Sequence, residues 1–146
     1  MKILNLKTDK RKLGDKGERL ARRLLRRKGY RILEKNYVAK GYEIDIIAKK
    51  GNVIAFIEVK TRNERSLGLI EPRPSSAVTP DKQLKILKTA NHYKYRRQCE
   101  YRMRFDVIEV IIKNNERGKE TATLNHLENT FDADTAAKGY KRKDFL

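Results

Sequence analysis

Hydrophobic and polar residues follow two different periods along this chain, and the periods mark out its elements. From about Asp15 to Lys28 the apolar residues Leu20, Ala21, Leu24 and Leu25 recur at helical spacing, with Leu13 and Gly17 extending the stripe. Arg19, Arg22, Arg23, Arg26 and Arg27 fall on the opposite side, and Gly29 is placed to stop the helix. Residues 30–39, YRILEKNYVA, predict a first strand, and residues 42–60 a hairpin of two apolar strands. Thr79-Pro80-Asp81 combines an N-cap, a proline at the first helical position and an acid in the first turn. The helix it opens runs to about Arg97, with Leu84, Leu87 and Ala90 turned inward. RFDVIEVII and TATLNHLENTF predict two more strands, joined by the polar turn KNNERGKE. The order α-β-β-β-α-β-β, without internal repeat, predicts a single α/β domain with a central mixed five-stranded sheet flanked by helices.

The unpatterned segments set the expected boundaries: a basic flexible arm over 1–12, the domain over 13–131 and a polar tail over 132–146. Residues 63–76, with one Gly, two Pro and three Ser, read as an exposed loop. At 146 residues the chain is long enough for one domain that buries roughly 70% of its unfolded surface without a staple. Its single cysteine, Cys99, excludes a disulfide framework, and no Cys/His cluster has zinc spacing. No apolar run reaches the ~18 residues of a membrane span, and the first residues hold too short a run for a signal peptide. A cytoplasmic protein with no membrane partner is the expectation.

Charge changes the picture most. There are 36 Lys and Arg against 19 Asp and Glu, a net charge of +17. Residues 1–40 hold 15 basic and 4 acidic residues, and residues 81–104 hold 8 and 2, so these two segments carry the whole excess. A field so concentrated favours a polyanion, most simply nucleic acid, over mere solubility or attraction to an anionic membrane.

Against that background the hairpin GYEIDIIAKKGNVIAFIEVKTR carries Glu43, Asp45, Glu58 and Lys60. A two-residue loop at Gly51-Asn52 makes paired residue numbers sum to 103, setting Asp45 opposite Glu58 and Glu43 opposite Lys60. A loop at Lys50-Gly51 instead sets Glu43 opposite Glu58. Both sums are odd, so the four residues share one face in either register. Directly opposed acids destabilise a sheet unless something neutralises them. A hard divalent cation with oxygen ligands would do so, and would lower the pKa of a bound water. Lys60 could then orient hydroxide or offset charge on phosphate. The plainer alternative is a solvated face with a Glu43–Lys60 surface pair. Glu18 lies about 20° from Leu25 and about 60° from Ala21 around the first helix, at the edge of the apolar stripe. It can reach inward past Gly14 and Gly17, or pair with Arg22 for only ~0.3 kcal/mol.

Several stretches together resemble a known family: GDKGERLARRLLRRKGYRILEKN, GYEIDIIA, IAFIEVKTR, RFDVIEV and HLENTF, covering roughly residues 13–131. They resemble the YraN-type family of bacterial proteins. That family looks like a branch of the restriction-endonuclease-like, or PD-(D/E)XK, nuclease superfamily, similar to archaeal Holliday junction resolvases. The resemblance implies a helix glutamate at Glu18, a metal aspartate at Asp45 and an ExK pair at Glu58 and Lys60. Two positions depart from the pattern: Ile44 stands where the name-giving proline would be, and Tyr42 where the family usually has a second glycine.

The function expected is a metal-dependent endonuclease acting on DNA rather than RNA, with branched or structured DNA as a candidate substrate and Mg²⁺ or Mn²⁺ on Asp45, Glu58 and Glu18. Arg19, Arg22, Arg23, Arg26, Arg62 and Lys82 are the expected backbone contacts. Tyr93 and Tyr95, among Lys94, Arg96 and Arg97, could stack on bases or pack the helix end. His126 reads as a packing residue at a strand end, and His92 as structural. One site per domain means that cutting both strands together would call for a homodimer. The rivals are a non-catalytic nucleic-acid-binding protein that keeps the fold and charge, and a purely structural partner of a ribosome or repair complex.

Overall fold

The computed structural model describes residues 6–64, 78–98 and 100–132. One sheet holds five strands in the order β1 (Arg31–Ala39), β2 (Tyr42–Lys50), β3 (Val53–Asn63), β4 (Arg102–Asn114) and β5 (Glu120–Phe131). α1 (Leu6–Arg27) precedes the sheet and α2 (Pro80–Arg97) joins β3 to β4. Neighbouring strands are antiparallel except β3 and β4, which run parallel. Parallel neighbours need a crossover connection, and α2 is that crossover. The mixed α/β sheet and its element order are those the periodicities predict.

α1 is longer than its expected start at Asp15: it begins at Leu6, so residues 6–12 of the expected arm are helical. Leu13 and Leu20, seven residues apart, pack against the core on either side of Gly14 and Gly17. Residues 1–5 of that arm, Cys99, residues 65–76 of the expected loop and all but Asp132 of the expected tail lie outside the described residues. At its other end α1 closes as expected on Gly29, whose φ is +90°. The Gly29 N–H donates to Arg26 O (3.1 Å) and the Tyr30 N–H to Leu25 O (2.9 Å), a Schellman arrangement in which Tyr30 and Leu25 are buried together. α2 is capped by Thr79, whose side chain accepts the Lys82 N–H at 3.3 Å.

The two helices cover opposite faces of the sheet. Ala21 and Leu25 of α1 pack with Ile46, Ala48, Ala55, Ile57, Ile108, Val110 and Ile112. Ile86, Leu87, Ala90 and Tyr93 of α2 pack with Ile47, Ile54, Phe56, Phe105 and Val107. Leu84, expected inward, is only half-buried. α1 reaches the sheet most closely at Gly17, where a Cβ would lie 1.7 Å from Thr61 Oγ1 and 2.7 Å from Thr61 Cβ.

The β2–β3 hairpin turns at Gly51-Asn52, with Gly51 at φ +57°. Its pairs run from Lys50 with Val53 to Ile46 with Ile57, the register in which residue numbers sum to 103. The ladder then ends. The expected pairs Asp45–Glu58 and Glu43–Lys60 lie just past its last rung, and the Val59 N–H donates instead to Asp45 Oδ2 at 2.8 Å. β2 also loses strict alternation here, because Ile44 packs on the α2 side and Ile46 on the α1 side. The two strands fork at Asp45.

Two glycines of α1 make opposite predictions. Gly17→Ala should lower the urea-unfolding free energy by about 1–3 kcal/mol, because Thr61 is short and branched and cannot swing clear. Gly14→Ala, with nothing within 4 Å of its added Cβ, should raise it by roughly 0.5–1 kcal/mol. Equal effects at both positions would contradict the close approach of α1 to β3.

Candidate functional site

Four side chains approach the fork, carried there by three features of the chain. Asp45 comes from the break in β2, and Glu58 and Lys60 from the stretch of β3 just beyond its ladder with β2. Glu18 comes from the residue after the Gly17 contact, near enough to Asp45 to share a hydrogen bond with it. Asp45 is pushed up to about 7, mainly by burial and further by the charges of Glu18, Glu58 and Glu43, against the bond from Val59. Glu18 is raised for the same first reason, burial, with Asp15 and Glu43 adding to it and Arg22 opposing. Burial lowers the Lys60 ammonium, Lys82 and Arg62 push the same way, and Glu58 and Glu109 push back. A carboxylate raised and a lysine lowered within one cluster are the perturbations that catalytic sites need, though ion-pair networks also produce them.

Glu58 is the least satisfied of the acids. Its side chain is only 16% exposed, and Oε1 accepts from Lys82 Nζ at 2.7 Å. Oε2 is buried with no hydrogen-bond partner among the described residues. An unpaired buried carboxylate oxygen costs on the order of 1–3 kcal/mol, which makes it a candidate position for a bound group. Hard oxygen donors on Glu58, Asp45 and Glu18 fit a divalent cation of the Mg²⁺ class by their chemistry. The cluster is not drawn together in advance: among the described residues, no three Asp, Glu, His or Cys side chains are close enough to hold an ion.

Three participants were not foreseen in these roles. Asn36, at φ +50° on β1, sits between two of the acids. With Nδ2 turned toward them, its amide donates to Glu18 Oε2 (3.2 Å) and Glu43 Oε1 (3.0 Å). Asn is one of the few residues that tolerates a positive φ, which is the only signal the sequence offered. Tyr42 lines the same opening with Glu43, Asp45 and Glu58. Burial raises its phenol, with Glu58 and Asp45 adding to the shift. Lys82, expected as a phosphate contact, lies against Glu58.

The arginines expected to hold the phosphate backbone lie on α1 and β3, the elements that also carry Glu18, Glu58 and Lys60. Arg19, Arg23 and Arg26 are exposed along α1, Arg22 is half-exposed beside Glu18, and Arg62 is half-buried on β3 two residues beyond Lys60. Of the tyrosines on α2, Tyr93 is buried against Tyr37 and Phe56, whereas Tyr95 is 84% exposed. His92 Nδ1 lies 2.9 Å from Tyr37 Oη. His126 belongs to a separate network: its Nε2 lies 2.8 Å from Asp106 Oδ2, and its Nδ1 lies 2.6 Å from Lys28 Nζ. It ties β5 to β4 and to the end of α1, and its Asp106 lines the same opening as Asp45 and Glu58.

A carboxylate cluster with Lys60 and Lys82 at the fork of a mixed α/β sheet therefore defines the candidate site. The model of the uncharacterised protein family UPF0102 matches residues 17–110, a span that contains Glu18, Asp45, Glu58, Lys60 and Lys82. The chain belongs to that family. A UPF0102 protein of Alkaliphilus metalliredigens is 46% identical over 120 residues, covering 82% of this chain and 96% of the relative. One from Chlorobium phaeobacteroides is 41% identical over 133 residues, covering 88% and 100%. One from Caldanaerobacter subterraneus is 43% identical over 126 residues, covering 86% and 98%. No helix among the described residues is long and apolar enough to cross a membrane.

The raised Asp45 carboxyl predicts an unusual pH dependence. Between the unfolded value of 3.8 and the folded value of about 7, the folded protein binds the extra proton, so stability falls as pH rises through that window. The loss should be on the order of 2 kcal/mol once solvent screening is allowed for. Asp45→Asn should flatten the decline in EDTA buffer, as measured by urea unfolding at pH 5 and pH 8. Parallel pH profiles for the two proteins would show that Asp45 ionises freely in the fold.

Proposed function

We propose that this is a metal-dependent endonuclease-like protein that binds and cleaves DNA, branched or structured DNA in particular, through a restriction-endonuclease-like site. The observation that carries this reading is the meeting of Glu18, Asp45, Glu58 and Lys60 at one fork, with a buried Glu58 oxygen left unpaired. Asp45 and Glu58 are the ligands for Mg²⁺ or Mn²⁺, and Glu18 completes the set directly or through water. A cation held there supplies Lewis acidity and a bound water of lowered pKa.

The chain's own part is binding, orientation and proton handling. Lys60, on the same strand as Glu58, orients the attacking water and offsets negative charge on the phosphate. Arg19, Arg22, Arg23 and Arg26 on α1 and Arg62 on β3 hold the phosphate backbone. Such contacts position the nucleic acid but carry no base information, so recognition follows shape and charge. With one site per chain, a homodimer is the arrangement that would cut both strands at once. A second reading, a non-catalytic nucleic-acid-binding protein, is favoured by the acids not being drawn together in advance.

Cleavage assays on junction, flap, duplex and single-stranded DNA with Mg²⁺, Mn²⁺ or EDTA decide between the two. The expected result is metal-dependent cutting that Asp45→Ala and Lys60→Ala abolish while DNA affinity is retained. Turnover on none of the four substrates would favour the non-catalytic reading. In melts without DNA, either ion at about a hundredfold over its Kd should raise Tm by about 5–10 °C. Asp45→Asn should remove that shift, and a wild-type Tm indifferent to both ions would remove the metal site.

Binding should also be electrostatic. If six to eight basic side chains engage phosphate, log K should fall with log salt at a slope of about −5 to −7 on duplex DNA. Reversing Arg22, Arg23 and Arg26 to Glu should weaken binding to unrelated sequences alike. A slope near zero would exclude the nucleic-acid partner.

A further inference from the structure

Lys82 stands in a position that local preference does not explain. Thr79 caps α2, so Lys82 is the third helical residue, where the positive end of the helix dipole disfavours a cation and an acid is the usual occupant. Its stem nevertheless crosses to the sheet, and Nζ reaches Glu58 Oε1 at 2.7 Å. Its side chain is 44% exposed, against 16% for Glu58, so the ammonium can leave the pair for solvent while Glu58 cannot. The contact takes one oxygen of the carboxylate and leaves the other buried and unpaired.

We infer that the Lys82 ammonium is a stand-in cation at Glu58, displaced when a divalent ion binds and thereby freed to contact phosphate. The inference rests on the proposed metal site and adds its regulation: ion binding and phosphate binding are coupled through one side chain. In the ion-free protein the ammonium lowers the charge repulsion among Glu58, Asp45 and Glu18, and so holds the fork together. It also occupies the carboxylate that a metal needs. A divalent ion therefore meets a site of which only the fraction with Lys82 released is competent, and its apparent affinity falls by that fraction. Once Glu58 is engaged by the ion, the ammonium has lost its partner. It then stands at the N-terminal end of α2, where the backbone N–H groups add to its attraction for phosphate oxygens. The ion thus increases the positive charge available to nucleic acid by one group beyond its own charge.

The test is calorimetric titration of the full chain with Mn²⁺ alone, comparing wild type, Lys82→Met and Lys85→Met. Lys85 is exposed one turn further along α2, so its substitution removes the same charge without touching Glu58. Lys82→Met should bind Mn²⁺ about fivefold tighter than wild type, the weight of a partly exposed ion pair that no longer has to open. Lys85→Met should stay within about twofold. Duplex DNA binding supplies the second readout, with Ca²⁺ as a hard divalent ion in place of Mg²⁺. Adding Ca²⁺ should strengthen binding by wild type more than by Lys82→Met. If Lys82 only fastens α2 to the sheet, Lys82→Met lowers Tm in EDTA and leaves the Mn²⁺ affinity unchanged, which overturns the inference but not the metal site. Failure of all three proteins to bind Mn²⁺ overturns the metal site and this inference together.

Discussion

The bond from the Val59 N–H to Asp45 Oδ2 is the contact on which the candidate site depends. In a continued ladder that N–H would serve the β2 backbone. A side chain takes it instead, so β2 and β3 part after Ile46 and Ile57 without leaving the donor unpaired. The parting turns Ile44 toward α2 while Ile46 stays under α1. Asp45 is thereby left at the boundary between the two cores, half-buried and able to meet groups from either helix. Glu18 arrives from one side because Gly17 lets α1 descend onto Thr61. Lys82 arrives from the other because the capped first turn of α2 points it at Glu58.

The fold can satisfy a buried acid when nothing else is asked of it. Asp106, whose side chain is fully buried, has four partners: Arg104 Nε and the Asn129 N–H at Oδ1, and Arg104 Nη2 and His126 Nε2 at Oδ2. Burial alone would raise its carboxyl, but those hydrogen bonds outweigh it and hold the group below its ordinary range. Asp45 and Glu58, on adjacent strands of the same sheet, have fewer donors and more neighbouring acids. The same chain therefore contains a completed carboxylate network and an uncompleted one. The completed network is a structural tie, and the uncompleted one has the electrostatics of a binding site.

What the sequence made legible were features written in local chemistry or in simple periodicity. The hairpin was legible down to two registers, of which the structure takes the one turning at Gly51-Asn52, the register that brings Asp45 near Glu58. Thr79-Pro80 and Gly29 marked helix ends, and they do so in the structure. Glu18 was placed by its angle from Leu25. The extension of α1 to Leu6 was hidden because Gly14 interrupts the apolar stripe. The end of the ladder at Ile46–Ile57 was not legible, because it follows from an Asp45 side chain replacing a backbone acceptor, a substitution that periodicity does not register. Asn36, and the pairing of Lys82 with Glu58, were missed for a related reason, Lys82 having been expected only as a phosphate contact. Each meets an acid distant in sequence, 24 residues away in the case of Lys82 and Glu58, and tertiary pairing of that kind leaves no local trace.

The charge of the molecule makes two demands that work at different ranges. A net charge of +17 draws a polyanion and repels a divalent cation, so an ion can bind only where nearby carboxylates reverse the field locally. Coulomb energy at about 4 Å in a partly buried site is several times that between exposed groups at about 10 Å, where physiological salt screens most of it. Under the proposed function, the acids at the fork would therefore govern the ion, and the arginines on the outer face of α1 the approach of the phosphate backbone. Lys82 lies where the two ranges meet, close enough to Glu58 to compete with a cation and exposed enough to reach a phosphate. Raising the salt concentration should thus weaken the long-range attraction well before it disturbs the fork, so that loss of nucleic acid precedes loss of the ion.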